Sequence, residues 1–173
     1  MIRFTSTLCV ALVSAGAAVA QQPAPPPGCT AAEHRQFDFW EGDWIVTDSA
    51  GGTTYGTNLV TREEQGCLLH EHWTASGVAQ TGQSMNFYDR TSGKWNQVWV
   101  ASGGNVLRLE GRLEGRAMQL EGQRPGQGGV MIRNRITWTP EPDGRVRQTW
   151  STSQDGGQTW QVGFDGWYRR KAT

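Results

Sequence analysis

The sequence predicts an all-β protein: an antiparallel up-and-down barrel of about ten strands, preceded by one short helix. Three observations predict it. From Asp43 onward, apolar and polar residues alternate in short stretches, the period of a half-buried strand. Gly, Asn, Asp and Pro separate the stretches in turn-forming combinations, and no helix-period run of useful length interrupts them. The 173 residues include 23 Gly and 9 Trp, a composition foreign to helical bundles and sufficient for one domain with a core.

The chain begins with Arg3 and an apolar run from Leu8 that ends in Ala18-Val19-Ala20. A basic start, a short apolar stretch and an A-x-A ending predict a signal peptide over residues 1–20, cleaved before Gln21. The run is too short to span a bilayer, and no cysteine follows it directly, so no stable membrane anchor is expected. The predicted location is the periplasm or the exterior. Residues 21–30 contain QQPAPPPG and read as a Pro-rich linker, because proline lacks the N–H and fixes φ. A single domain then runs over 31–173. It opens with a predicted helix over 31–39, with Thr30 as N-cap and Glu33 at the capping-box spacing.

Candidate strands follow at 43–48, 54–63, 67–75, 82–88, 95–101, 105–112, 117–123, 130–139, 145–152 and 160–169. Their connections are too short for parallel crossovers, so successive strands pair antiparallel. An open sheet of this size would leave two unpaired edges, and closure into a barrel removes both.

The charge is balanced, with 16 Lys+Arg against 16 Asp+Glu, which excludes nucleic acid and anionic membrane surfaces as main partners. Cleavage would remove Cys9 and leave Cys29 and Cys67, which read as one disulfide in an oxidising compartment.

Several segments carry a resemblance. Arg35-Gln36 and the following Phe37-Asp38-Phe39-Trp40-Glu41-Gly42-Asp43-Trp44, an FDFWxGxW opening, resemble the start of a family of small exported bacterial proteins of unknown function. The similarity continues through Gly66-Cys67, Glu71-His72-Trp73, Asn86-Phe87-Tyr88-Asp89, Gly93-Lys94-Trp95, Arg135-Ile136-Thr137-Trp138 and Phe164-Asp165-Gly166. That family is placed among lipocalin-like (calycin) barrels, and the resemblance implies that fold here. It also implies structural roles for Gly42 and Trp44, the G-x-W of calycins, with Arg169 or Arg170 from the last strand packing across the indole. Ser153 to Trp160 fits the S-x-D-x-G-x-T-W pattern of an Asp-box, which predicts a stapled hairpin turn.

The chemistry is sparse. There is no G-x-S-x-G elbow, no phosphate-cradling glycine fingerprint and no C-x-x-C, so no catalytic residue and no cofactor are assigned. His70 and His72 share one face of a strand but need a third ligand, with His34 or a carboxylate as candidates; no metal site is predicted.

Alternation groups Glu71 with Trp73, Asn86 with Tyr88, and Trp95, Gln97 and Trp99 together. Such a face has the aromatic walls and few polar groups of a ligand cavity. The opposite face of the 82–101 hairpin holds Met85, Phe87, Val98 and Val100 and could line the barrel instead. With the first face inward, the predicted function is binding of a small, largely apolar or acid-bearing ligand in the lumen by Glu71, Trp73, Asn86, Tyr88, Gln97, Trp99 and Arg135. Two alternatives stand beside it. One is a small-molecule enzyme using Glu71 as general acid or base; the other is an interaction module or homodimer with the aromatic face outside.

Overall fold

The computed structural model describes residues 28–172. The expected signal peptide, its cleavage point and most of the 21–30 linker lie outside these residues. The strands are β1 (Gly42–Thr47), β2 (Thr54–Glu63), β3 (Leu68–Ala75), β4 (Thr81–Asp89), β5 (Lys94–Ala101), β6 (Val106–Glu114), β7 (Ala117–Pro125), β8 (Met131–Pro140), β9 (Val146–Ser153) and β10 (Gln161–Arg170). Each pairs antiparallel with its successor, and β10 pairs back onto β1 with Trp44 opposite Arg170. The sheet is therefore a closed up-and-down barrel with no free edge. Every strand appears within two residues of its predicted bounds, because turn glycines and alternation mark strand ends locally.

The N-terminal segment is the short helical stretch that the sequence predicts. It forms two 3₁₀ turns, Ala32–Arg35 and Asp38–Trp40, and Ala31 rather than Thr30 precedes the first; no side chain caps either. The buried residues are His34, Phe37 and Trp40, spaced by three. A 3₁₀ turn has three residues per turn, so a spacing of three keeps these side chains on one face.

That face plugs one end of the barrel. Phe37 stacks on Trp40 at 4.9 Å between centroids and meets Trp138 and Trp95 edge-on at 5.1 and 5.5 Å. Trp40, Trp44 and Trp138 are all fully buried, and Trp44 Nε1 donates to the Trp40 carbonyl at 2.9 Å. Burying an indole of about 150–250 Å² contributes roughly 4–6 kcal/mol of transfer free energy before entropy is counted. Two further links fasten the plug. The Cys29–Cys67 disulfide ties the tail to the β2–β3 connection, and Arg62 pairs with Asp38 at 2.7 Å and Glu41 at 2.6 Å.

Arg170, not Arg169, closes the G-x-W seal, its guanidinium 4.5 Å from the Trp44 ring centroid. Arg169 follows inward-facing Tyr168 and so projects from the other face of β10, opposite Ile45. Gly42 sits at φ +151°, and a Cβ there would lie 2.3 Å from Arg170 Nη1, so a side chain at this position would displace the seal.

The Asp-box forms the expected staple between β9 and β10. Asp155 accepts hydrogen bonds from the backbone N–H groups of Gln158 and Thr159, both at 3.0 Å, and from the Thr159 hydroxyl. Those bonds hold its carboxyl well below the usual carboxylate range.

Candidate functional site

The polar and aromatic face of β3–β5 points into the barrel. Glu71, Ser84, Asn86 and Gln97 are buried, whereas Met85 and Val100 on the other face are 53 % and 48 % exposed. The arrangement with the aromatic face outside is thereby corrected. Buried apolar residues fill the closed end, and the polar side chains gather midway along the lumen.

Strand register builds this polar layer. Glu71 faces Ser84 across the β3–β4 ladder, and Asn86 faces Gln97 across β4–β5. Ser84 Oγ donates to Glu71 Oε2 at 2.5 Å, and Asn58 Nδ2 on β2 donates to Oε1 at 2.7 Å. Asn86 Nδ2 donates to Ser84 Oγ at 2.8 Å, and Gln97 Nε2 donates to Asn86 Oδ1 at 2.8 Å. The chain of donors thus runs Gln97, Asn86, Ser84 and ends on the carboxylate. On the other side Tyr168 accepts a longer bond from Asn58 and donates to Gln148.

Glu71 is the one buried carboxylate among the described residues, and no Lys or Arg is buried beside it. Burial pushes its carboxyl up to about 7, against the opposing pull of the Ser84 and Asn58 hydrogen bonds and of nearby His70. Burial and the Glu71 charge also push the Tyr168 hydroxyl well above the phenol range. Asn58 Oδ1 is buried without a partner, so the layer keeps one acceptor unused.

Beyond this layer lies a second aromatic group, formed by Tyr55, Trp73, Trp99, Trp150 and Phe164. These rings pack on the core but retain partial exposure, unlike the fully buried Trp40, Trp44 and Trp138 at the plugged end. Phe164 lies 5.6 Å from Tyr55 and 6.4 Å from Trp73. Glycine makes room for the indoles: a Cβ on Gly82 would lie 2.2 Å from Trp99, and one on Gly56 2.7 Å from Trp73. The barrel is thus sealed at one end and bears wet aromatic rings at the other.

No protein-family model matches this chain, and no curated protein matches it. The closed ten-stranded antiparallel barrel agrees with the lipocalin-like architecture that the resemblance implies.

Of the residues singled out from the sequence, Glu71, Asn86 and Gln97 meet in the polar layer, and Trp73 and Trp99 stand beside it toward the open end. Tyr88 lies elsewhere, at the plugged end, edge-on to His34 at 5.2 Å. Arg135 is a correction. The inward residues of β8 are Asn134, Ile136 and Trp138, so Arg135 faces outside. There it bonds Glu121 at 2.6 Å and stacks 3.9 Å from the Trp160 centroid, bracing the Asp-box turn. Arg133 shares this outer face, bonding Glu121 at 2.8 Å.

Sequence reasoning missed Asn58, Ser84, Gln148, Trp150 and Tyr168. Ser84 was legible, two residues before Asn86 on the same strand face. Asn58 joins through the β2–β3 pairing, where it lies opposite Trp73, whereas Tyr168 joins only through barrel closure, which brings β10 beside β1. A separate cluster lies on the outer wall, where Glu63 joins His70 and His72 with one ligand atom each, all within 4.8 Å of one another. His34, the other candidate partner for those histidines, is buried in the plug instead and accepts a bond from Arg90 at 3.0 Å.

Proposed function

We propose that this is an exported lipocalin-like barrel that binds a small, largely apolar molecule at its open end, with one polar group of the ligand directed at the Glu71 layer. The observation that carries the reading is the contrast between the two ends. Tyr55, Trp73, Trp99, Trp150 and Phe164 remain partly exposed at the end away from the fully buried Trp40, Trp44 and Trp138, above a buried carboxylate with an unused acceptor beside it. Rings that the protein does not cover itself form an apolar wall for a guest, and the polar layer supplies orientation. The FDFWxGxW resemblance and the Cys29–Cys67 disulfide support export, with cleavage before Gln21. Across the described residues no helix is long and apolar enough to cross a membrane.

The location of Arg135 narrows the ligand. An acid-bearing guest would meet the Glu71 carboxylate with no cation to offset it. A neutral molecule offering a hydroxyl or N–H donor suits Glu71 and Asn58 Oδ1 better.

A second reading has its own support. A carboxyl with a pKa of about 7 is suited to general acid–base work at neutral pH, and Glu71 has that property. Native mass spectrometry before and after mild organic extraction tests the first reading. A defined extra mass lost on extraction is expected. A bare apo mass, together with no fluorescence enhancement of an added uncharged apolar dye such as Nile red, would overturn it. Glu71→Gln separates the readings: a binder keeps most of its affinity, and an enzyme loses turnover.

A further inference from the structure

Outside the barrel wall, on the face opposite Glu71, β3 carries His70 and His72, whose rings are 4.1 Å apart. Glu63, at the end of β2, reaches the same spot and brings Oε1 to 3.3 Å from His70 Nδ1. We propose that Glu63, His70 and His72 form a binding site for a divalent transition-metal ion of the zinc class.

Three features beyond residue type support it. The first is spacing. Two ligands at about 2.0–2.1 Å from one ion at a tetrahedral angle stand roughly 3.3–3.4 Å apart. The Glu63–His70 separation of 3.3 Å already matches that requirement, and His72 lies within 4.8 Å of both.

The second is orientation of the ligands by their neighbours. His70 Nε2 lies 3.1 Å from Gln83 Oε1; with the ring proton on Nε2 that bond holds the imidazole, and Nδ1, facing Glu63, is the nitrogen offered to an ion. The Thr61 hydroxyl donates to Glu63 Oε1 at 2.8 Å and turns the carboxylate toward the histidines. Metal-ligating imidazoles and carboxylates are held by outer partners of this kind, and losing one typically weakens binding 10–100-fold.

The third is the donor set. Two imidazoles and one carboxylate with a position left for solvent are the ligands of open zinc sites rather than of closed, four-ligand structural ones. Ligand preference orders the ions: Cu²⁺ binds such a set more tightly than Zn²⁺, and Mg²⁺ or Ca²⁺ hardly at all. A groove of about 410 Å³ begins at His70 and runs past Met85, Val98 and Val100, so the solvent position adjoins a partly apolar cleft.

The site is independent of any lumenal ligand, because strand alternation puts it on the other side of the sheet from Glu71. Isothermal titration of the purified protein with ZnCl₂ and CuCl₂, with MgCl₂ as control, tests it. One equivalent of Zn²⁺ is expected, with Cu²⁺ tighter and no response to Mg²⁺. His72→Ala, on the exposed face, removes a ligand without touching the core and is expected to abolish stoichiometric binding. Gln83→Ala keeps all three ligands and is expected to weaken Zn²⁺ at least tenfold, an effect that a non-specific surface histidine would not show. An absence of 1:1 binding below millimolar Zn²⁺, or unchanged affinity in His72→Ala with an unaltered circular dichroism spectrum, would overturn the proposal.

Discussion

Ser84 Oγ and Glu71 Oε2 lie 2.5 Å apart in the middle of the barrel, each from the inner face of a neighbouring strand. The hydroxyl is one of two neutral donors that hold a buried carboxylate for which no buried cation is present among the described residues. Solvating a charge by dipoles alone leaves much of the desolvation cost in place, and the raised pKa expresses that residue.

Stability should therefore fall with rising pH across a defined window. The folded-state pKa is about 7 against an ordinary 4.5, so the native protein keeps a proton that the unfolded chain has released. Below 4.5 both states carry it and above 7 neither does; between them the folded state loses stability as pH rises. The shift amounts to about 3 kcal/mol at 1.36 kcal/mol per pH unit. Denaturant unfolding of wild type and Glu71→Gln at pH 5 and pH 8 checks this. The variant should lack this loss and exceed wild type at pH 8.

The end seal should fail in a graded way. Arg170→Ala removes the guanidinium over Trp44 and should cost roughly 1–2 kcal/mol. Gly42→Ala should cost more, because its Cβ displaces the same guanidinium and the new residue must also hold φ +151°. Equal thermal shifts for the two variants would contradict the steric argument.

Reduction of Cys29–Cys67 should destabilise by roughly 3–4 kcal/mol on the chain-entropy account, given a separation of 38 residues. The unreduced protein should titrate with no free thiol at either position. Because the bridge fastens the plug, reduction should also increase acrylamide quenching of the fluorescence from Trp40 and Trp95, both buried beneath it.

The two ends of the barrel should respond differently to truncation. Trp40→Ala leaves a cavity in a fully buried cluster and should cost about 3–5 kcal/mol. Trp99→Ala removes a partly exposed ring and should cost less, while reducing the binding of an apolar dye. Unfolding curves and dye titrations on the same two variants check both halves.

The strand pattern was legible because its determinants are local: alternation, turn glycines and the Asp-box staple each reside within a few residues. The polar layer was half legible for the same reason. Glu71, Asn86 and Gln97 stand on consecutive strands, so register alone brings them together. Arg135 misled because alternation groups it with Arg133 and Thr137 but does not say which face is inner; in the closed barrel the lumen goes to Asn134, Ile136 and Trp138 and the outside to the arginine. Glu63 escaped notice as a third metal ligand because it lies seven residues from His70 and meets it only through the β2–β3 pairing.

The sequence by itself determined that this chain makes about ten antiparallel strands, that its two later cysteines belong together, and which residues share a strand face. These follow from periodicity and turn chemistry, which act over short distances along the chain. Only the tertiary structure decided which face is the inside, which arginine seals Trp44, and that Tyr168 on β10 meets Asn58 and so joins the Glu71 layer. Alternation is symmetric between the two faces of a strand. Inside and outside are distinguished only when the sheet closes and the 3₁₀ segment drives Phe37 and Trp40 into one end of it.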